Sequence, residues 1–298
     1  MNQDITARLL RDWPLPMPAA NADKDVRGCV LIIAGSKEMP GAVLLAATAA
    51  LRAGAGKLVI ATASSIAPQI GVAVPEARVI GLAETADGGL VADDADSLHK
   101  ACQQASAVLI GPGMQDEPSC CHLVRALLPH CADKPLILDA AGMSIASRDA
   151  DCGPDGPFRF STPVLLTPHA GELASLTGAD KSDIQTQPEA AARLAAQRWQ
   201  ATVVLKGSLT VIADADTQQW RHEGGNTGLA ISGSGDVLAG IITGLAARGA
   251  TLEQAAAWGV ALHAMAGEQL SLKHGPLGYL AREISTEIPA LLRSLAAN

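Results

Sequence analysis

The chain of 298 residues is 48% hydrophobic and 17% charged, with a formal net charge of −8. That length allows one large α/β domain or two small ones and is ample for a sizeable core. The acidic balance supplies no basic footprint for nucleic acid, and two Phe and one Tyr offer no platform on which bases would stack.

Taken in chain order, residues 1–26 read as an extended N-terminal arm, because Trp13-Pro14-Leu15-Pro16-Met17-Pro18 is closed to helix by its prolines. Asp4, Arg8, Arg11 and Asp12 break the apolar core that a secretory signal needs, and no later apolar run is long enough for a membrane span. Cys29 to Ala34 is a continuous apolar run, as in a strand buried on both faces. Pro40-Gly41 then opens an alanine-rich helix through Arg52 that closes at Gly54-Ala55-Gly56, and Leu58 to Thr62 is the next strand. This β-α-β unit implies a right-handed crossover between parallel strands.

The pattern repeats. Strands are predicted at Ala77–Ile80, Ala107–Ile110, Pro135–Leu138, Val164–Leu166 and Thr202–Leu205, with helices at Asp93–Gln104, Pro118–Leu128 and Glu189–Trp199. Leu209–Ala213 and Gln219–His222 form a hairpin, Cys152–Pro157 is a loop, and the chain from the glycine-rich stretch at 224–240 to Asn298 is helical. No linker divides residues 1–298, so a single domain is expected. Six cysteines follow no disulfide framework, which suits a reducing cytoplasm. Cys120-Cys121-His122 with His130 and Cys131 matches no usual zinc spacing and reads as ordinary buried or surface cysteines.

Chemistry concentrates at strand ends, where open α/β sheets bind ligands. Gly224 to Gly240 packs glycines and small hydroxyl residues, among them Asn226, Gly233, Ser234 and Gly235, immediately before an apolar helix. Such a helix start presents unpaired N–H groups and partial positive charge, a cradle for phosphate. Asp236 stands at the mouth of that cradle, where a carboxylate repels phosphate unless it has a task. Ser232 and Ser234 can cap the helix, so capping does not require the acid. Gly111-Pro112-Gly113 is either a close approach to a ligand or a tight turn, and Asp139 either a ligand-binding carboxylate or a helix cap. His169 and Glu172 face the same way at a helix start, and Lys206-Gly207-Ser208-Leu209-Thr210 links two strands as a nucleotide-binding or a solvated turn.

These blocks, in this order, resemble the bacterial ADP-dependent NAD(P)H-hydrate dehydratases of the ribokinase-like superfamily. The resemblance runs over about residues 27–275. It is carried by Gly35-Ser36 with Pro40-Gly41-Ala42, Ala49 to Gly56, Pro75-Glu76, Gly111-Pro112-Gly113, Leu138-Asp139-Ala140, Thr167-Pro168-His169-Ala170-Gly171-Glu172, Lys206 to Thr210, and Gly225-Asn226 through Gly235-Asp236. The Gly-Ser-Gly-Asp block is common to ribokinase-like kinases, whereas Thr-Pro-His-x-Gly-Glu and the Pro-Gly-Ala helix point to the dehydratases. Ala170 departs from the Pro of many relatives.

The resemblance implies a three-layer α/β/α fold with a central, mostly parallel sheet, and an assembly that is homo-oligomeric (a homotetramer). It implies repair of the S forms of hydrated NADH and NADPH (NADHX and NADPHX), with ADP consumed to AMP and phosphate. Epimerisation is not expected, since the epimerase domain fused to some members has no counterpart here. Ala42, Gly113, Asp139, His169 and Asp236 would bind the hydrate. Lys206, Gly207, Ser208, Leu209, Thr210, Asn226, Gly233, Ser234 and Gly235 would bind the nucleotide. Asp236 and His169 would be catalytic, and Glu172 would hold Mg²⁺ through water. The rivals are an ATP-dependent thiazole or pyrimidine alcohol kinase of the same superfamily and a non-catalytic nucleotide-binding module. An oxidoreductase is disfavoured, because Gly35-Ser36-Lys37 lacks the G-x-G-x-x-G form.

Overall fold

Val30, Leu31, Ile32 and Ile33 are fully buried, the expected fate of an uninterrupted apolar strand covered on both faces. The computed structural model describes residues 2–19, 21, 23–91, 95–147 and 158–296. Its elements begin with β1 (Asn2–Asp4), α1 (Ala7–Asp12), β2 (Cys29–Ile33), α2 (Pro40–Arg52), β3 (Lys57–Ala63), α3 (Ala67–Ala73), β4 (Ala77–Glu84) and β5 (Leu90–Val91). There follow α4 (Ala95–Gln104), β6 (Ala107–Ile110), α5 (Glu117–Leu127), β7 (Leu136–Leu138), β8 (Val164–Leu166), α6 (Ala170–Thr177), α7 (Lys181–Thr186) and α8 (Pro188–Trp199). The chain closes with β9 (Thr202–Leu205), β10 (Leu209–Ala213), β11 (Gln219–Glu223), α9 (Ser234–Ala247), α10 (Leu252–His274) and α11 (Ala281–Ala296).

The strands form one sheet in the order β1-β11-β10-β9-β8-β7-β6-β2-β3-β4-β5. It is parallel from β9 to β4, with the antiparallel β10–β11 hairpin beyond β9 and β5 antiparallel to β4. Helices α2, α9, α10 and α11 pack together on one face, and α4 to α8 lie on the other. The expected three-layer arrangement is therefore observed. The chain leaves β2 toward β3 and β4 on one side and returns through β6 to β9 on the other. That reversal between β2 and β6 is a topological switch point, where α/β sheets open a crevice for ligands.

Two helices crossing this region touch through very small residues. A Cβ added at Gly240 of α9 would lie 2.3 Å from the Ala46 carbonyl oxygen of α2, and one at Gly244 would lie 2.5 Å from that of Ala50. The alanine richness of α2 thus serves close helix contact, and it sets the N-termini of α2 and α9 side by side at the crevice.

Three expectations need correction or restriction. The arm is not extended throughout, since β1 pairs in parallel with β11 and α1 is helical. Thr6 caps α1 by accepting the Leu9 N–H at 3.2 Å and Leu10 is buried, so the prolines exclude helix only from Pro14 onward. The start of the helix predicted from Asp93 and the Cys152–Pro157 loop lie outside the described residues. Among the described residues no disulfide joins the five cysteines, no cluster of three or more His, Cys, Asp or Glu is arranged to hold a metal, and no helix is long and apolar enough to cross a membrane.

Candidate active site

The C-terminal ends of β7, β8 and β9 deliver Asp139, His169 and Lys206 to one place. Asp139 follows β7 and stands before a short 3₁₀ helix, yet its side chain makes no capping hydrogen bond. Its Oδ1 instead accepts from Thr167 Oγ1 at 2.6 Å and from Lys206 Nζ at 3.1 Å, and the residue is only 2% exposed. The capping alternative is therefore excluded. Lys206 Nζ also lies 3.7 Å from Glu172 Oε2. Burial works to lower the Lys206 pKa, but the charges of Asp139 and Glu172, the Asp139 hydrogen bond and the charge of Asp236 outweigh it, and the pKa is raised. The ammonium is thus held charged.

His169 and Glu172 form a capping box at α6. His169 Nδ1 accepts from the N–H groups of Gly171 and Glu172 at 3.0 and 3.1 Å, and Glu172 Oε2 accepts the His169 N–H at 2.7 Å. Those bonds assign the ring hydrogen to Nε2, on a side chain 58% exposed. The two residues do face one way, as their spacing predicts, and each has a structural duty beside any chemical one.

The opposite wall is the start of α9. Its N-cap, Gly233, has φ +88° and supplies no side chain, and Ser234 does not cap because its Oγ lies 3.0 Å from His263 Nε2. The expected serine cap is absent, which leaves the first N–H groups of α9 available to an anion. A Cβ at Gly235 would sit 3.3 Å from Lys206 Nζ, so this first turn abuts the lysine. Asp236, one residue on, has its pKa pushed up to about 7, first by burial and then by the negative charges of Asp139 and Glu172, against the lowering effect of Lys206. A carboxyl half-ionised near neutrality suits proton transfer.

The switch-point loops complete the crevice. Gly35 N–H donates to Pro112 O at 2.7 Å, tying the ends of β2 and β6 together. Gly113 has φ +64°, and a Cβ there would lie 2.5 Å from the Ala42 Cβ, so these two residues touch. At Gly111 a Cβ would lie 1.8 Å from Asp139 O, which joins this loop to the ion pair. Only glycine satisfies that conformation and approach.

On the nucleotide side, Gly207 and Ser208 are exposed, and Thr210 Oγ1 closes the turn on Gly207 O at 3.1 Å. Leu209 and Thr210 begin β10, paired with Glu223 and His222. Asn226 is supported separately: its Oδ1 accepts from Gly228 N–H and Tyr279 Oη, each at 2.8 Å, and its Nδ2 is buried without a partner. Sequence reasoning missed Thr167 as the anchor of Asp139, Tyr279 as the anchor of Asn226, and His263. Burial pushes the His263 imidazole down to about 4. A lone His within a long apolar helix carries no local signal of such a contact.

The oxygen donors fit Mg²⁺ that arrives with nucleotide phosphates and keeps most of its water. Glu172 would hold it through water beside the Asp236 carboxyl, while no ready-made cluster among the described residues would bind the bare ion.

Fold and site together define a ribokinase-like α/β protein with an anion cradle, an acid and a half-buried lysine. A ribokinase-like superfamily protein from Enterococcus faecalis superposes with a TM-score of 0.84 at 25% identity, over 100% of this chain and 97% of its own. The family model for NAD(P)H-hydrate dehydratase matches residues 30–290, and the chain belongs to that family. It is 45% identical to an ADP-dependent (S)-NAD(P)H-hydrate dehydratase of Xanthomonas campestris pv. campestris, over 98% of this chain and 96% of the relative. The ADP/ATP-dependent NAD(P)H-hydrate dehydratase from Bacillus subtilis, co-crystallised with ATP and Mg²⁺, superposes with a TM-score of 0.80 at 32% identity over 98% of each chain.

Proposed function

We propose that this protein dehydrates the S forms of NADHX and NADPHX to NADH and NADPH, converting ADP to AMP and phosphate. The observation that carries the reading is Asp236: an acid in the first turn of a glycine-led helix, its carboxyl raised to about 7, beside a lysine that bridges Asp139 and Glu172. The same cradle and acid would serve an alcohol kinase. Close identity to a named dehydratase over nearly the whole chain supports the dehydratase over it.

The hydroxyl that water adds to the nicotinamide ring is a poor leaving group. Asp236 takes its proton as the hydroxyl oxygen attacks the β-phosphorus of ADP, and AMP departs. The α9 N–H groups and Lys206 hold the charge that builds on the transferred phosphoryl group. The carbon–oxygen bond then breaks as the ring nitrogen's lone pair moves in, phosphate leaves, and loss of a proton from the neighbouring carbon restores the double bond. Mg²⁺ held by Glu172 through water would neutralise phosphate charge when bound. Ala42, Gly113, Asp139 and His169 hold the hydrate. Lys206 to Thr210, Asn226 and the Gly233–Gly235 turn hold the nucleotide.

The protein acts as a single catalytic domain in the cytoplasm, as a homotetramer. Sedimentation would expose any other assembly. Incubation with NADHX and either ADP or ATP, following restored NADH absorbance together with free phosphate, tests the reaction. Equal yields of NADH and phosphate are expected with ADP. A stable phosphoester without free phosphate would establish the kinase instead.

A further inference from the structure

A second cavity, of about 1000 Å³, opens between α1, the proline arm, the C-terminal ends of α2 and α9, and α11. Five of the chain's 22 Lys and Arg line it: Arg11, Arg27, Arg52, Arg248 and Arg293. The sole lining carboxylate among the described residues, Asp12, already faces Arg8 at 3.7 Å. None of the five arginines forms an ion pair among the described residues. Arg27 and Arg248 donate to the carbonyls of Gly54 and Ala53, just past α2, while Arg11, Arg52 and Arg293 make no described hydrogen bond. The pKa of Arg248 is lowered, by burial first and then by the charge of Arg27, so like charges confront each other here without a counter-ion. Leu10, Leu15, Trp258 and Leu292 supply an apolar floor.

Two guanidiniums have a structural reason to be present, since cations suit helix C-termini. The other three, Arg11, Arg52 and Arg293, stand in the last turns of α1, α2 and α11 and are exposed, so each also suits its helix end. The helix ends do not require all five to meet at one cavity with no carboxylate paired to them among the described residues, and an anion bound there relieves their mutual repulsion. The volume is at the upper end for small-molecule sites and far exceeds that of a bare inorganic anion.

We propose that this cavity binds a small organic anion: a sulfonate-, phosphate- or carboxylate-bearing molecule with an apolar, ring-sized body. The charge engages Arg52, Arg293 and Arg11, and the body lies on Trp258 and Leu292. The site is separate from the catalytic crevice. The 14 residues of α9 run from Ser234 at the cradle to Ala247 beside Arg248, about 21 Å at the helical rise.

The probe is anilinonaphthalene sulfonate, titrated into the full-length protein held in saturating ADP, with its fluorescence and the tryptophan emission recorded. One site per chain is expected, weakened by added salt. N-phenylnaphthylamine, the same ring system without the sulfonate, should bind at least about tenfold more weakly. Arg52→Ser with Arg293→Ser should weaken the sulfonate at least about tenfold, and the Lys pair at both positions should restore it to within about threefold. The proposal is overturned if the probe binds only when ADP is left out, if the neutral analogue binds as tightly, if the serine pair binds like the parent, or if no probe binds because a second copy of the chain covers the cavity.

Discussion

Asp236→Asn separates two consequences of one carboxyl, because it should cut turnover and also stabilise the protein, the second effect growing as pH rises. In the folded chain this carboxyl titrates at about 7 instead of 3.8, through burial and then the charges of Asp139 and Glu172. Between those values the folded state holds a proton that the unfolded state has released. Stability therefore falls as pH rises through that window, and the full penalty is present above about 7. Three units at ~1.4 kcal/mol each make the penalty about 4 kcal/mol, and partial exposure to solvent reduces this to roughly 2 kcal/mol. Asparagine never ionises, so the variant gains nearly all of that amount at about pH 8 but only roughly two-fifths of it at about pH 5. For a chain of this size the gain corresponds to about 4 °C in Tm. The assay is a pair of thermal melts at the two pH values, with turnover measured at saturating ADP and hydrate. Turnover should fall by ~10²-fold or more, the usual contribution of a positioned base. The same Tm difference at both pH values, or a loss at the higher one, would refute the electrostatic account. Near-parental turnover would remove the base assignment.

The neighbours of Asp236 should move its titration in opposite directions. Lys206→Met removes the charge that lowers the Asp236 pKa and so shifts the acid limb of kcat/KM upward from about 7, whereas Asp139→Asn removes a charge that raises it and shifts the limb downward. Shifts of the same sign would contradict the arrangement. Lys206→Met should also destabilise by about 3–5 kcal/mol, because it leaves the buried Asp139 carboxylate unpaired, and urea titration measures this. His169→Ala should cost about 1 kcal/mol through the lost α6 cap and raise KM for the hydrate but not for ADP. His169→Asn, which still caps, should recover stability alone, and recovery of both would make the imidazole purely structural. Gly240→Ala places a methyl 2.3 Å from Ala46 O, so α2 and α9 must separate at about 1–3 kcal/mol, with turnover falling because both helices carry site residues; calorimetry and the coupled NADH assay read the two effects.

The alternation of apolar runs with glycine-closed helices was sufficient to predict the central sheet. Ala107–Ile110, Val164–Leu166 and Thr202–Leu205 lie where periodicity puts them, because a strand buried on both faces is apolar at every position. The periphery was less legible. The proline run around Trp13 hid the turn of helix capped by Thr6, and α3, which carries a Pro and a Gly within seven residues, was not predicted. Neither segment announces itself by composition, since each is held by packing: Leu10 and Ile70 are the buried residues that anchor them.

The site divides along the same line. Glycines at 111, 113 and 233 were legible because a positive φ or a backbone approach is a requirement that residue type reveals. The identities of Asp139, Lys206 and Asp236 were legible too, but not their coupling. These residues come from β7, β9 and α9, and no local spacing relates them. Asp139 had to be found in contact with Lys206 before capping could be set aside, and Lys206 in contact with Glu172 before its charge could be seen to hold Asp236 near 7 and no higher. A carboxylate so placed is basic enough for the proposed proton transfer and is still partly ionised at neutral pH. That balance belongs to the folded sheet edge and to no single stretch of sequence.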